Sequence, residues 1–283
     1  MRRTSLSNVL GVALDGIDLA ALDDDQFREV EQAWWDGLVL AVRNQSLSPE
    51  AFLAFARRFG KPEPHVIDQF RYPGHPDILI LSNRQNEKGE PIGLADAGSY
   101  FHTDYSYLDV PAKVTILYSQ EVPKSGGDTL FANMYAAYDD LPAATKRKID
   151  GLTVRHHYGN RDDLDEASRT AASPLTAEQK GRVDWVLHPL VRAHPGTGKK
   201  ALYAVSGSSF SIVGMAEADG RRLLDELKAH ALQEKYQHRY KWQVGDVVLW
   251  DDLALLHSAT LTNPDDPRTL WRITVKERRG AWA

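Results

Sequence analysis

His102 and Asp104 flank Thr103 in the run Tyr100-Phe101-His102-Thr103-Asp104-Tyr105. In an extended backbone, residues two apart point to the same face, so an imidazole and a carboxylate at this spacing can share one metal ion. The chain contains no cysteine. Disulfides, thiolate zinc sites, cysteine-ligated iron–sulfur clusters and thiol nucleophiles are therefore excluded, and any metal must be held by histidine and carboxylate. The spacing alone proves little. Ten histidines in a chain this rich in aspartate give about one His-x-Asp by chance. His75-Pro76-Asp77 repeats the pattern, but its proline follows Gly74 in a turn-like context and cannot donate to a sheet ladder, so it serves as an internal control.

A third ligand must come from elsewhere, and His257 follows the apolar strand pattern Val247–Trp250 after a short stretch of Asp and Leu. Two imidazoles and one carboxylate form the facial set that leaves open positions on iron for a cosubstrate and oxygen. Taken alone, His257 reads better as a hydrogen-bonded core histidine than as a ligand. No His-Glu-x-x-His helix accompanies the set, which weighs against zinc hydrolysis. Arg268 and Arg272 lie in a stretch that reads as a strand. Their even separation turns both to one face, roughly 13 Å apart along the strand. That spacing suits two anions, or two ends of one site, and a planar guanidinium matches a carboxylate better than an ammonium does. Upstream, Gly126-Gly127-Asp128-Thr129 sets a hydroxyl at a strand start, where it could donate to the same carboxylate.

The elements that must position these groups are mostly extended. Ile78–Leu81, Val114–Tyr118, Thr129–Phe131, Leu202–Val205, Val247–Trp250 and Leu270–Val275 read as strands between Gly, Pro and Asp turns, preceded by Val12–Leu19 and Leu38–Val42. Helices are predicted from Phe27 to Trp35 behind the caps Asp23–Asp25, from Ser48-Pro49-Glu50 to Gly60, and near Tyr135–Ile149 and Ala216–Ala231. Strands in excess of helices along the whole chain predict a mainly β protein, a double-sheet barrel with flanking α-helices rather than βαβ units. The polar segment 160–184 lacks sustained periodicity and predicts a surface excursion, either a lid over the substrate or a tolerated insertion.

At 283 residues, with 42% hydrophobic and 26% charged, the chain can bury a large core. A net charge of -5 leaves no basic field for a phosphate backbone, so nucleic acid is not an expected partner. No apolar run approaches the roughly eighteen residues of a membrane span, and Met1-Arg2-Arg3 leads into polar residues rather than a signal-type stretch. The expectation is a soluble, cytoplasmic protein with no membrane partner.

Taken in order, His102-Thr103-Asp104, Gly126-Gly127-Asp128-Thr129, Trp250-Asp251-Asp252, His257, Arg268 and Arg272 resemble the taurine dioxygenase and phenoxyacetate herbicide dioxygenase family. The resemblance extends over nearly the whole chain and includes His188-Pro189-Leu190-Val191 and the turn-like His194–Lys200. It implies one domain over residues 1–283, folded as a distorted double-stranded β-helix, the jelly-roll type of barrel. It also implies an enzyme that uses Fe(II), 2-oxoglutarate and O2 to oxidise a C–H bond of an organic substrate, releasing succinate and CO2. By position, His102, Asp104 and His257 become iron ligands, Arg268 and Thr129 bind the distal carboxylate of 2-oxoglutarate, and Arg272 receives the anionic group of the substrate. His65 matches a substrate-contacting histidine more loosely. A small carboxylate, sulfonate or sulfate ester is expected as substrate, and a homodimer or homotetramer as the assembly.

Departures from the pattern fall around the substrate. Gly98 stands near a family Asn, Val205 and Ser208 replace an Asn and a Phe, and Asp252 replaces the Asn of Trp-Asp-Asn. Tyr105, Tyr107, Tyr158 and Phe210 are candidate pocket walls, and aromatic residues commonly line such sites. Two rival readings use the same triad: a metal-dependent hydrolase, and a non-catalytic barrel that senses oxoacid or metal.

Overall fold

The computed structural model describes residues 1–95, 98–159 and 175–278. Among them an eight-stranded sheet runs in the order Arg2–Ser5, Val12–Asp15, Val39–Val42, Val247–Asp251, Ala112–Glu121, Thr269–Lys276, His75–Ser82 and Arg71–Tyr72. Its pairs are antiparallel except Val12–Asp15 with Val39–Val42. Facing it, a three-stranded sheet joins Gln237–Tyr240, Thr129–Asn133 and Leu255–Ala259. A second three-stranded sheet joins Ser209–Ile212, Thr153–His156 and Val186–Pro189, and Val191–Ala193 pairs with Lys200–Leu202. This is the β-rich jelly-roll arrangement that the resemblance implied.

Strand alternation explains why the central strands of the large sheet are buried on both faces. Val247 and Leu249 pack with Ile116, Ile273 and the helix residues Val30, Trp34, Phe52 and Phe55. Val248 and Trp250 turn the other way, into a core shared with Phe131, Ala132 and Leu255. Each fully buried large side chain here contributes about 1.5–3 kcal/mol relative to exposure. The inner face also carries Thr115, Leu117, Leu270, Arg272 and Thr274, so its polar members are delivered into the space between the sheets by the same alternation that buries the leucines.

The two helices against the outer face start as expected. Asp23 and Gln26 form a capping box on Asp24–Gly37, and Ser48 caps Pro49–Arg57, each cap being worth about 1 kcal/mol. The single helix expected near Tyr135–Ile149 is two, Met134–Asp139 and Ala143–Ile149. Pro142 lacks an amide hydrogen and disfavours helical backbone at Leu141, which breaks the run. The strand expected at Leu202–Val205 ends at Leu202, because Ala204 adopts φ 49° and turns the chain into Ser206–Ser209. Val12–Leu19 likewise keeps its strand only to Asp15, and the 3-10 turn Leu19–Ala21 takes over. Of the expected lid, 160–174 lies outside the described residues. Its end is a short capped helix, Ala177–Lys180, from which Gln179 donates to Asp68 and Gln69.

Candidate active site

Two hydrogen bonds bring the distant ligand candidates together. The His102 amide donates to the His257 carbonyl at 2.9 Å and the His257 amide returns a bond at 2.8 Å. His257 is placed by the strand Leu255–Ala259, where it stands opposite Phe131. His102 and Asp104 are not on a strand as expected. His102 occupies an isolated bridge, and Asp104 opens a turn completed by Tyr105 at φ 54°. A side chain at positive φ is uncommon outside Gly, Asn and Asp, and here it turns the chain sharply just after Asp104. Potential ligand atoms of His102, Asp104 and His257 lie within 4.8 Å of one another. Nε2 of His102 is 3.6 Å from Asp104 Oδ1, and Nε2 of His257 is 3.6 Å from Asp104 Oδ2.

The chemistry of this donor set fits a divalent cation. His102 Nδ1 donates to the Tyr100 carbonyl at 2.7 Å, which leaves Nε2 as the free lone pair. Burial, then the neighbouring His102, holds His257 well below the usual histidine range and keeps it neutral. Burial alone would raise Asp104, but Arg272 and the two histidines outweigh it and hold the carboxyl well below its usual range. Burial and the Asp104 charge push Asp252 up, so the site penalises a second negative charge. A divalent ion reverses that balance.

Two cavities meet at this point. One is lined by Leu81, Leu117, Thr129, Trp250, His257 and Arg268, together with Gly98, His102 and Arg272. Thr129 Oγ1 accepts from Trp242 Nε1 at 3.0 Å, so its own hydrogen is available to an anion. Arg268 is placed just ahead of the strand Thr269–Lys276, one residue outside the expected element, and Asn83 Oδ1 fixes its amide at 2.9 Å. The other cavity shares Gly98, His102 and Arg272 and adds His65, Tyr100, Tyr105, Tyr107, Tyr158 and Ser208. Burial, then Arg272, pushes His65 down to about 3. The neutral ring accepts at Nδ1 from the Ile67 amide at 3.1 Å, so its proton is on Nε2. Arg272 lies 2.7 Å from Asp104 Oδ1 and thus borders the ligands and both cavities.

Some candidates stand elsewhere. Phe210 packs against Trp185 and His157 beside a separate surface groove, because its alternation on Ser209–Ile212 turns it away. Val205 is fully buried in the core. Asp252 keeps the hydrogen bonds that its replacement of Asn put in doubt, accepting at Oδ1 from Trp250 Nε1 at 3.1 Å and from the Asp104 amide at 3.2 Å. His75 and Asp77 begin a strand rather than a turn and face Glu50 and Arg57, away from the ligand cluster. Sequence reasoning missed Thr115, which donates to Asp104 Oδ2 at 2.7 Å, as well as Tyr100, Asn83 and Trp242. A lone threonine inside an apolar strand was the one available signal.

The family model described as taurine catabolism dioxygenase TauD, TfdA family, matches residues 2–274. The chain belongs to this family. A 2,4-dichlorophenoxyacetate dioxygenase of Cupriavidus pinatubonensis is 34% identical, with 95% of this chain and 96% of that protein covered. Pentalenolactone F synthase of Streptomyces arenae is also 34% identical, covering 96% and 95%. Among solved structures, AAD-2 in complex with Mn(II) and N-oxalylglycine superposes with a TM-score of 0.80 at 29% identity, covering 98% of both chains. A taurine dioxygenase of Burkholderia xenovorans gives 0.79 at 29% identity, covering 98% and 89%. The protein is a 2-oxoglutarate-dependent dioxygenase that uses iron, as the resemblance implied, and the hydrolase and sensor readings are set aside. Among the described residues no helix is long and apolar enough to cross a membrane.

Proposed function

We propose that His102, Asp104 and His257 hold the iron, that Arg268 and Thr129 bind the distal carboxylate of 2-oxoglutarate, and that Arg272 and His65 receive the anionic group of the substrate. The observation that carries this reading is the meeting of two cavities at His102, Gly98 and Arg272. One is a narrow slot ending in an arginine and a hydroxyl, which suits a dicarboxylate. The other is a tyrosine-walled pocket with one guanidinium and one imidazole N–H, which suits an organic anion. Iron with its bound cosubstrate supplies the oxidation of a C–H bond by oxygen, with succinate and CO2 as products.

The protein's own residues bind, orient and exclude water. Tyr100 sets the imidazole of His102, Thr115 sets the carboxylate of Asp104, and Asn83 sets the backbone of Arg268. Arg272 draws the substrate anion to the pocket side of Asp104, which leaves the apolar body against Ile67, Leu94, Tyr107 and Tyr158. Holding the target C–H bond next to the metal position is the protein's contribution to rate. Relatives are named for a phenoxyacetate, a phenoxypropionate and an alkyl sulfate, so a carboxylate, sulfonate or sulfate ester with a ring- or chain-like apolar body is the substrate class. A cytoplasmic location and a dimeric or tetrameric assembly complete the reading.

The test is substrate-stimulated succinate release, run with phenoxy acids, sulfonates and alkyl sulfates under air and under nitrogen. Oxygen-dependent stimulation by at least one class, lost in His102→Ala, is expected. Stimulation by uncharged analogues as strong as by the anions would overturn the role of Arg272.

A further inference from the structure

We infer that Asp252 is the hydrogen-bond acceptor that orients His257 on the metal, a carboxylate in the place where the family pattern carries Asn. The inference rests on His102, Asp104 and His257 being the metal ligands. It starts from an asymmetry between the two histidines. His102 has its outer nitrogen tied to the Tyr100 carbonyl at 2.7 Å. His257 directs Nε2 toward Asp104, and its outer nitrogen, Nδ1, is buried without a hydrogen-bond partner among the described residues. A neutral imidazole that gives its Nε2 lone pair to a metal must carry its proton on Nδ1, so this ligand needs an acceptor.

The acceptor is already beside it. Asp252 Oδ1 lies 4.0 Å from His257 Nδ1, and Oδ2 of the same carboxyl group is buried without a partner among the described residues. An unpartnered donor thus sits in a buried site 4.0 Å from the bonded oxygen of a carboxyl group whose other oxygen has no partner among the described residues. Asp252 is itself held in place. Oδ1 accepts from Trp250 Nε1 and the Asp104 amide, and the backbone carbonyl accepts from Thr103 Oγ1. The Trp250 ring also packs on the His257 ring, with centroids 4.6 Å apart. Asparagine could keep both bonds at Oδ1, but its second atom would be an amide nitrogen, which donates and cannot accept from Nδ1–H. The carboxyl group therefore adds an acceptor behind His257. With a cation in the site to offset the repulsion from Asp104 it would act as a carboxylate, which raises the basicity of a ligating imidazole and strengthens the metal bond.

Asp252→Asn separates this role from a structural one. With Mn(II) as the probe, read by the EPR signal of free ion, the variant is expected to bind about ten- to a hundredfold more weakly than the parent chain, while the metal-free melting temperature does not fall. A second measurement needs no variant. In zinc-loaded protein labelled with 15N-histidine, His257 Nδ1 is expected to resonate downfield of His102 Nδ1, because a carboxylate acceptor gives the ring more imidazolate character than a carbonyl does. Mn(II) affinity within twofold of the parent, or coincident Nδ1 resonances, overturns the proposal. Parent-like Mn(II) affinity in His102→Ala removes the metal assignment itself, a failure distinct from that of Asp252.

Discussion

His257, Thr129 and Arg272 stand on strands whose partners fix their register: His257 opposite Phe131, Ala259 opposite Thr129, and Arg272 between Leu117 and Leu79. Across the cavity, His65, Tyr105, Tyr107, Tyr158 and Ser208 come from connections between elements. A strand residue cannot move by one place without turning every side chain of its strand to the wrong face, whereas a connection can change length and sequence at small cost. The charged centre is therefore the rigid half, with His102 and Asp104 tied to it by the bridge to His257 and by Thr115, and the wall of the substrate cavity is the adjustable half. Solved structures named for taurine and for 2,4-D share the fold at TM-scores of 0.79 and 0.80, as this division requires.

The sharpest way to break the division is to remove one arginine at a time. Arg268→Ala is expected to raise the KM for 2-oxoglutarate about a hundredfold, since losing one buried charge-assisted contact costs about 2–5 kcal/mol, with little effect on substrate KM. Arg272→Ala is expected to do the reverse. Steady-state kinetics with each cosubstrate varied decides the matter, and equal effects of either change on both constants would contradict two separate anion sites.

The even spacing of Arg268 and Arg272 was legible because strand alternation is local, and the structure does direct both into one cavity. The His102-x-Asp104 spacing was legible for a different reason than the one that operates. Expected as strand alternation, it is a one-residue bridge followed by a turn with Tyr105 at positive φ, a geometry that no propensity at Tyr announces. Thr115, Tyr100 and Asn83 act on the site through a hydroxyl, a carbonyl and a side-chain acceptor whose partners are 11, 2 and 185 residues away. Only the fold makes those pairings. Phe210 was misplaced because aromaticity marks a wall without saying which side of the sheet it faces.

Gly98 probes the boundary between the halves. It belongs to a connection, yet a Cβ built there would stand 2.6 Å from His102 Cε1, and its φ of +72° already disfavours a side chain. Gly98→Ala is expected to weaken Mn(II) binding about tenfold, as a misoriented imidazole loses its bond, and to lower the melting temperature slightly. Unchanged Mn(II) affinity would show that His102 can swing aside, and the metal side would then be less rigid than its strands suggest.

The smallest effect concerns what holds the adjustable half. His188 Nε2 donates to the Leu108 carbonyl at 3.0 Å, pinning the connection that carries Tyr105 and Tyr107. Burial, then Arg192, pushes His188 down to about 4. The unfolded chain binds a proton at this residue near pH 6.5 while the folded one does not, so its contribution to stability is full above pH 6.5 and declines as pH falls toward 4. The slope from one such histidine is about 1.4 kcal/mol per pH unit. His188→Gln keeps an N–H for Leu108 and removes the titration. Urea unfolding at pH 7 and pH 5 is therefore expected to show a smaller loss of stability in the variant, with substrate KM nearly unchanged. An unchanged pH slope with a raised substrate KM would mean that His188 acts by shaping the tyrosine wall, and that the adjustable half depends on a more exact anchor than its loops imply.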